Sequence, residues 1–145
     1  KRRYNLPLPL TICGDGPLRP ALERLAAEEN IDATFVGFVQ DPTEYITKSS
    51  VALTSGFLAI LEAAALRRPI FSVYHNPVKE SYLRDTPNAD KMVHIASTPE
   101  ELADQLAGHL LSPAHTAATI DRAAAFAATW TWDRLANDYL QLWSQ

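Results

Sequence analysis

The sequence is poor in the residues that build disulfide and metal sites. It has one cysteine, Cys13, in 145 residues, which excludes an intramolecular disulfide framework. No Cys/His group has the spacing of a zinc site, so no metal is expected. In its apolar surroundings Cys13 reads as a small buried hydrophobe. Positive charge is also scarce: 13 Lys and Arg face 17 Asp and Glu, a net charge of −4. There is thus no basic footprint for nucleic acid, and the terminal cluster Lys1-Arg2-Arg3 reads as solvated. No apolar run approaches the length of a membrane span, and the start lacks the apolar core of a signal peptide. These absences leave a reducing, cytoplasmic setting, with the inner face of a membrane as a neighbour. The chain has only five glycines, so their positions carry information. A hydrophobic fraction of 47% over this length suffices for one domain, spanning residues 1–145, with a real core.

Strands and helices alternate along the chain, the pattern of a parallel sheet covered by helices. Strands are expected at residues 8–13, 33–38, 51–54, 70–74 and 92–96. Leu18, Leu22, Leu25 and Ala26 recur at helical spacing, so residues 17–29 read as a helix with Pro17 near its first turn. Residues 42–48 read as a short helix with Asp41 as N-cap and with Tyr45 and Ile46 facing inward. Residues 57–68 form an Ala- and Leu-rich helix. Thr98-Pro99-Glu100-Glu101 has the capping-box pattern and opens a helix carrying Leu102, Leu106 and Leu110. An Ala-rich helical region from about Thr116 closes the chain, with Leu135, Tyr139, Leu142 and Trp143 on one face. Residues 81–91 read as a loop or short irregular helix.

In open α/β sheets, ligands bind at the carboxyl ends of the strands. That rule places Gly14 to Gly16, Gly37 to Gln40, Thr54 to Phe57 and Tyr74 to Asn76 along one rim. The first of these is the most telling. An apolar strand runs straight into Gly14-Asp15-Gly16 and a helix follows at once, an arrangement that holds phosphate on backbone N–H groups in some proteins and is a plain βα connection in many others. Glu62 is the second candidate. It interrupts the otherwise apolar segment Gly56 to Ala65 and is expected to be half-buried, where a carboxylate needs partners; a pair of sugar hydroxyls is a suitable one, and the alternative is a Glu on the solvent face with its stem packed down.

Four segments in order carry a family resemblance. They are Leu10-Thr11-Ile12-Cys13-Gly14-Asp15-Gly16-Pro17-Leu18-Arg19, Thr34-Phe35-Val36-Gly37-Phe38-Val39, Ser50-Val51-Ala52-Leu53-Thr54-Ser55-Gly56-Phe57 and Leu61-Glu62-Ala63-Ala64-Ala65-Leu66-Arg67-Arg68-Pro69-Ile70. Together they resemble retaining glycosyltransferases of the GT-B fold, family 4 type, and within them the C-terminal, donor-binding domain. Thr131-Trp132-Asp133 and Tyr139-Leu140 resemble that family's terminal helix. The resemblance implies a Rossmann-like three-layer α/β domain, the C-terminal half of a GT-B fold with its first βα unit missing from this chain. It implies transfer of a sugar from a nucleotide-diphosphate sugar to an acceptor with retention, in cell-envelope polysaccharide or glycolipid synthesis, with no cofactor and no metal.

The resemblance also assigns residues. Two Glu separated by seven others flank the donor in that family. Glu62 matches the second, which binds the ribose hydroxyls; Thr54 stands at the position of the first, so no catalytic residue is assigned. Gly14, Asp15 and Gly16 match the turn near the pyrophosphate, and Gly37 and Phe38 the segment near the base. Thr54, Ser55, Gly56 and Phe57 complete the substrate-binding set. The implied partners are the nucleotide-sugar donor and an N-terminal acceptor domain, with peripheral membrane association through the remainder of the protein. The family's diphosphate-neutralising Arg and Lys belong to the upstream βα unit, and the isolated chain is expected not to turn over.

After the fourth strand, Tyr74 to Tyr82 replaces the family's Gly-rich loop. His75, Asn76 and Lys79 would face the cleft there. Lys79 is either a phosphate partner or a solvated lysine, and His75 either titrates near neutrality or is structural. Trp130, Trp132 and Trp143 read as packing anchors rather than a sugar platform, although Trp143 and the last helix would lie exposed where the acceptor domain is missing. Two further functions stay open. One is a non-catalytic nucleotide-binding module, favoured by the absent first Glu. The other is a structural Rossmann-like domain, since fold does not fix function.

Overall fold

The computed structural model describes Tyr4, Leu6 and residues 8–144, so the Lys1-Arg2-Arg3 cluster lies outside the described residues. The chain packs as two compact units, one up to Lys48 and one from Ser49. Among the described residues the strands form two parallel sheets, one of two strands and one of three.

In the first unit, strand β1 (Leu10–Cys13) pairs parallel with β2 (Ala33–Gly37), with a register shift between Ile12 and Cys13. Helix α1 (Arg19–Glu28) connects them. It starts two residues later than Pro17 suggested, because Pro20 takes the first-turn position, where a missing N–H costs nothing. Its end is a Schellman motif: the Ile31 amide reaches the Ala26 carbonyl and Asn30 adopts φ 51°. The leucines of α1 do not make a buried face; Leu18, Leu22 and Leu25 are all exposed. Cys13 is exposed as well, because β1 alternates and places Leu10 and Ile12 on its more covered side. Residual desolvation still pushes its thiol above the ordinary value. Helix α2 (Thr43–Lys48) is capped as expected, with the Asp41 carboxylate accepting from the Thr43 amide at 2.9 Å.

In the second unit, β3 (Ala52–Leu53), β4 (Ile70–Val73) and β5 (Val93–Ala96) lie in that order, all parallel. The central strand β4 is a continuous buried run, Ile70, Phe71 and Ser72, as a strand covered on both faces should be. Helix α3 (Phe57–Ala65) buries Ile60, Ala63 and Ala64, and helix α7 (Ala117–Ala128), which packs against it, buries Ala123 and Ala127. Small side chains on both partners let the two backbones approach closely. Helix α3 ends at Ala65 rather than Arg68, since Arg67 turns to φ 56° and the Arg68 amide closes onto the Ala63 carbonyl.

The segment expected to be irregular contains two helices, α4 (Pro77–Arg84) and α5 (Ala89–Met92). Asn76 caps α4 through its side chain on the Lys79 amide, and Pro77 occupies the first turn. Helix α6 (Pro99–Leu111) starts as predicted: the Thr98 hydroxyl accepts from the Glu101 amide, and the Glu101 carboxylate reaches back to the Ser97 amide. A 3₁₀ turn at Pro113–Thr116 precedes α7, and α8 (Trp132–Trp143) follows it. The C-terminal region is thus interrupted at Thr129 to Thr131, where Thr131 caps α8 by accepting from the Arg134 amide. Of the tryptophans, Trp130 packs edge-on against Phe57 at 5.1 Å between ring centres. Trp132 and Trp143 are 81% and 78% exposed and are not core anchors, because α8 buries none of its residues.

Candidate functional site

In the first unit the glycine turn is closed on itself. The Gly14 amide donates to the Gly37 carbonyl at 2.7 Å, and the Gly16 amide to the Asp15 carboxylate at 2.9 Å. Gly14 has φ 145° and Gly37 φ 79°, a region that L side chains enter only under strain. A Cβ on Gly37 would also lie 3.3 Å from the Arg19 guanidinium. That guanidinium donates to the Phe35 carbonyl at 3.1 Å and to Glu23 at 2.8 Å, so Arg19 fastens α1 to the end of β2. Phe38, just beyond, is 82% exposed.

The second unit gathers the remaining candidates at the carboxyl ends of its three strands. A cavity of about 210 Å³ is lined by Leu53, Thr54, Ser55, Phe71 to Val73 and Leu102. A second, of about 230 Å³, is lined by Tyr74, His75, Asn76, Pro77, Glu80 and Ser97. The Thr54 backbone is fixed by β4: its amide donates to the Phe71 carbonyl at 3.0 Å, and its carbonyl accepts from the Ser72 hydroxyl. Among the described residues the Thr54 and Ser55 hydroxyls have no partner within the chain. Gly56 adopts φ −89° and has open space around its missing Cβ, so the fold does not require glycine there.

Helix α4 braces this turn. The Tyr82 hydroxyl accepts from the Phe57 amide at 2.8 Å. The Lys79 ammonium donates to the Ser55 carbonyl at 2.6 Å and sits 4.3 Å from the centre of the Tyr82 ring. Lys79 therefore does face the strand ends, whereas Tyr82 was not anticipated. The three-residue spacing of Lys79 and Tyr82 on a helix puts both on one face, the feature from which the pair could have been read. Glu80 points elsewhere, to the Tyr74 hydroxyl at 2.8 Å and Arg84 at 2.9 Å, and these partners hold its carboxyl below the ordinary range.

Glu62 is exposed rather than half-buried. Ile60, Ala63 and Ala64 form the buried stripe of α3, and the helical period turns Glu62 away from it. Among the described residues its carboxylate has no hydrogen bond or ion pair. Among the same residues, no three His, Cys, Asp or Glu are grouped to hold a metal ion. No described helix is long and apolar enough to cross a membrane.

A comparison with characterised proteins found no match. Among solved structures, the chain is similar to the one described as the crystal structure of TarM. The TM-score is 0.75 at 13% identity, covering 99% of this chain and 30% of that one. At that identity the likeness establishes the fold: an α/β, Rossmann-like arrangement of parallel strands and helices of the GT-B kind. The chain spans less than a third of that protein's length. The family model of group 1 glycosyl transferases matches residues 1–112, most of the chain. This chain belongs to the group 1 glycosyl transferases.

Proposed function

We propose that this chain is the donor-binding domain of a retaining, family 4-type glycosyltransferase. The observation that carries the reading is Glu62: an exposed, unpartnered carboxylate on a helix whose other residues are apolar. A carboxylate accepts hydrogen bonds from two adjacent hydroxyls at once, which suits the ribose of a nucleotide diphosphate sugar. The open hydroxyls of Thr54 and Ser55 and the bare Gly56 backbone lie in the turn before α3, Phe57 is its first residue, and together they would receive the sugar and phosphate end. In the first unit, Gly14, Asp15, Gly16, Gly37 and Phe38 are assigned donor contacts from sequence resemblance. The donor needs no metal in this reading: hydrogen-bond donors and cations stabilise the departing diphosphate. The acceptor is read by a domain outside this chain, so the chain alone is inactive. A cytoplasmic location with peripheral membrane association, in the synthesis of envelope polysaccharide or glycolipid, fits a donor of this kind.

Titration with UDP, GDP and ADP, followed by amide NMR shifts, tests the reading. Saturable changes at Thr54 to Phe57 and around Glu62 with one nucleotide support it and name the base. Flat titrations with all three count against it.

A second reading rests on Thr54. The family's first Glu is absent there, and the position carries a hydroxyl with no carboxylate in its place. On that ground the chain is a nucleotide-sugar binder without transfer chemistry. Transfer activity of the full protein, lost in Glu62→Ala, rules this reading out.

A further inference from the structure

We propose that Lys79 is an anion-binding residue of the donor site, placing an ammonium beside the Thr54–Phe57 turn to receive an oxyanion of the ligand. The inference rests on the donor reading above only for what the ligand is; the cation itself is read from the geometry.

Three observations meet at this side chain. First, its position is fixed. The ammonium donates to the Ser55 carbonyl at 2.6 Å and lies 4.3 Å from the centre of the Tyr82 ring, while Tyr82 holds the Phe57 amide at 2.8 Å. The long side chain is therefore already ordered, and a ligand would not have to pay that entropy again.

Second, its charge is uncompensated. Among the described residues no carboxylate pairs with Lys79. The adjacent Glu80 is committed to Tyr74 and Arg84. In a chain with more acidic than basic residues, an ordered ammonium with no counter-ion stands out. Of its three N–H donors, one is spent on Ser55 and one side rests on a ring face; donor capacity remains.

Third, the place is the rim at the carboxyl ends of the strands, where open α/β sheets take their ligands. The Ser55 carbonyl that anchors Lys79 belongs to a residue lining the cavity of about 210 Å³ at the carboxyl ends of β3 and β4. The first amide of α3 is already taken by Tyr82, and Lys79 adds a side-chain cation beside it, on the Ser55 carbonyl.

An ammonium does not distinguish a phosphate from a sugar carboxylate, so the ligand's anion is either the donor diphosphate or an acidic sugar. The test uses both chemistries on the chain as it stands. Inorganic pyrophosphate and glucuronate are titrated separately, with amide shifts followed at Ser55, Gly56, Phe57, Lys79 and Tyr82. The variants are Lys79→Met, Lys79→Arg and, as a control for net charge, Lys91→Met. A saturable response to pyrophosphate that weakens about tenfold or more in Lys79→Met, recovers in Lys79→Arg and persists in Lys91→Met supports the proposal with phosphate as the source. The same pattern with glucuronate alone supports it with an acidic sugar as the source. No saturable response to either anion, or equal binding by Lys79→Met and the unaltered chain, overturns it. Lys79→Gln keeps a donor for the Ser55 carbonyl and carries the comparison if Met disturbs the turn. The two readings fail separately. Nucleotide binding that needs Glu62 but not Lys79 overturns the lysine assignment alone. Pyrophosphate binding that needs Lys79, with no nucleotide binding at all, overturns the donor reading and keeps the lysine.

Discussion

The Phe57 amide donates to the Tyr82 hydroxyl at 2.8 Å, tying the first residue of α3 to the middle of α4 across 25 residues of chain. A helix's first amides have no intrahelical acceptor, and here a side chain from another helix supplies one. Tyr82→Phe removes the acceptor and keeps the ring on which Lys79 rests. The expected loss of stability is about 0.5–1.5 kcal/mol, the ordinary worth of one hydrogen bond. The urea midpoint measures it; an unchanged midpoint would show that water replaces the hydroxyl at no cost.

Two glycines make opposite predictions. Gly37 has φ 79° and a neighbouring guanidinium 3.3 Å from where a Cβ would stand. Gly37→Ala should therefore lower stability by about 1–2 kcal/mol from the left-handed backbone alone. Gly56 has ordinary φ and open space. Gly56→Ala should change stability by less than about 0.5 kcal/mol, as a surface substitution does. If a ligand approaches the backbone there, the same methyl weakens its binding. Chemical denaturation of both variants and a nucleotide titration of Gly56→Ala separate the fold's needs from the site's.

Phe71 is fully buried between two histidines, stacked on His94 at 4.7 Å and tilted to His109 at 5.9 Å. The Thr116 hydroxyl donates to the Pro113 carbonyl at 2.9 Å, so its oxygen accepts from His109 Nδ1 at 2.7 Å and the neutral ring carries its proton there. Burial lowers both histidine pKa values below the ordinary 6.5, and the charge of His109 adds to the effect on His94. The folded chain thus binds fewer protons than the unfolded chain below that value. Stability is at its full level above pH 6.5 and falls as pH drops through 6.5 towards the lower folded values. Denaturant midpoints at about pH 7 and about pH 5 should show that fall. His94→Phe, which keeps a ring against Phe71, should flatten it. An identical pH dependence in the variant would remove His94 from the account.

The fold was largely legible because alternation and capping are local. The strands at Leu10, Ala33, Ile70 and Val93 sit in apolar runs bounded by Gly, Pro or polar residues, and Thr98 caps the helix that its pattern announces, with the Glu101 carboxylate reaching one residue further back, to the Ser97 amide. Less legible was residues 77–92, where exposed Val78 and Tyr82 give α4 no apolar stripe and only Asn76-Pro77 announces it. The break before α8 was hidden for a related reason: Ala-rich sequence continues the helical pattern, and only the Thr131 cap marks the restart. Exposure was the hardest property to read. Cys13, Trp132 and Glu62 all look interior by residue type or by company, and all are open. For the site, Lys79 was visible as a candidate. Its bond to Ser55 and the brace from Tyr82 depend on how α4 docks on the β3–α3 turn, which no local pattern specifies.

The central claim is that Glu62 holds the nucleotide of a sugar donor. Glu62 is exposed and free of partners within the described chain, so Glu62→Gln should leave the fold and its denaturation midpoint unchanged. The decisive measurement is the Kd of the preferred nucleoside diphosphate for Glu62→Gln against the unaltered chain, by calorimetry at fixed salt. Loss of a charged acceptor for two hydroxyls should weaken binding by about tenfold or more. An unchanged Kd would contradict the account and leave Glu62 a solvated surface carboxylate.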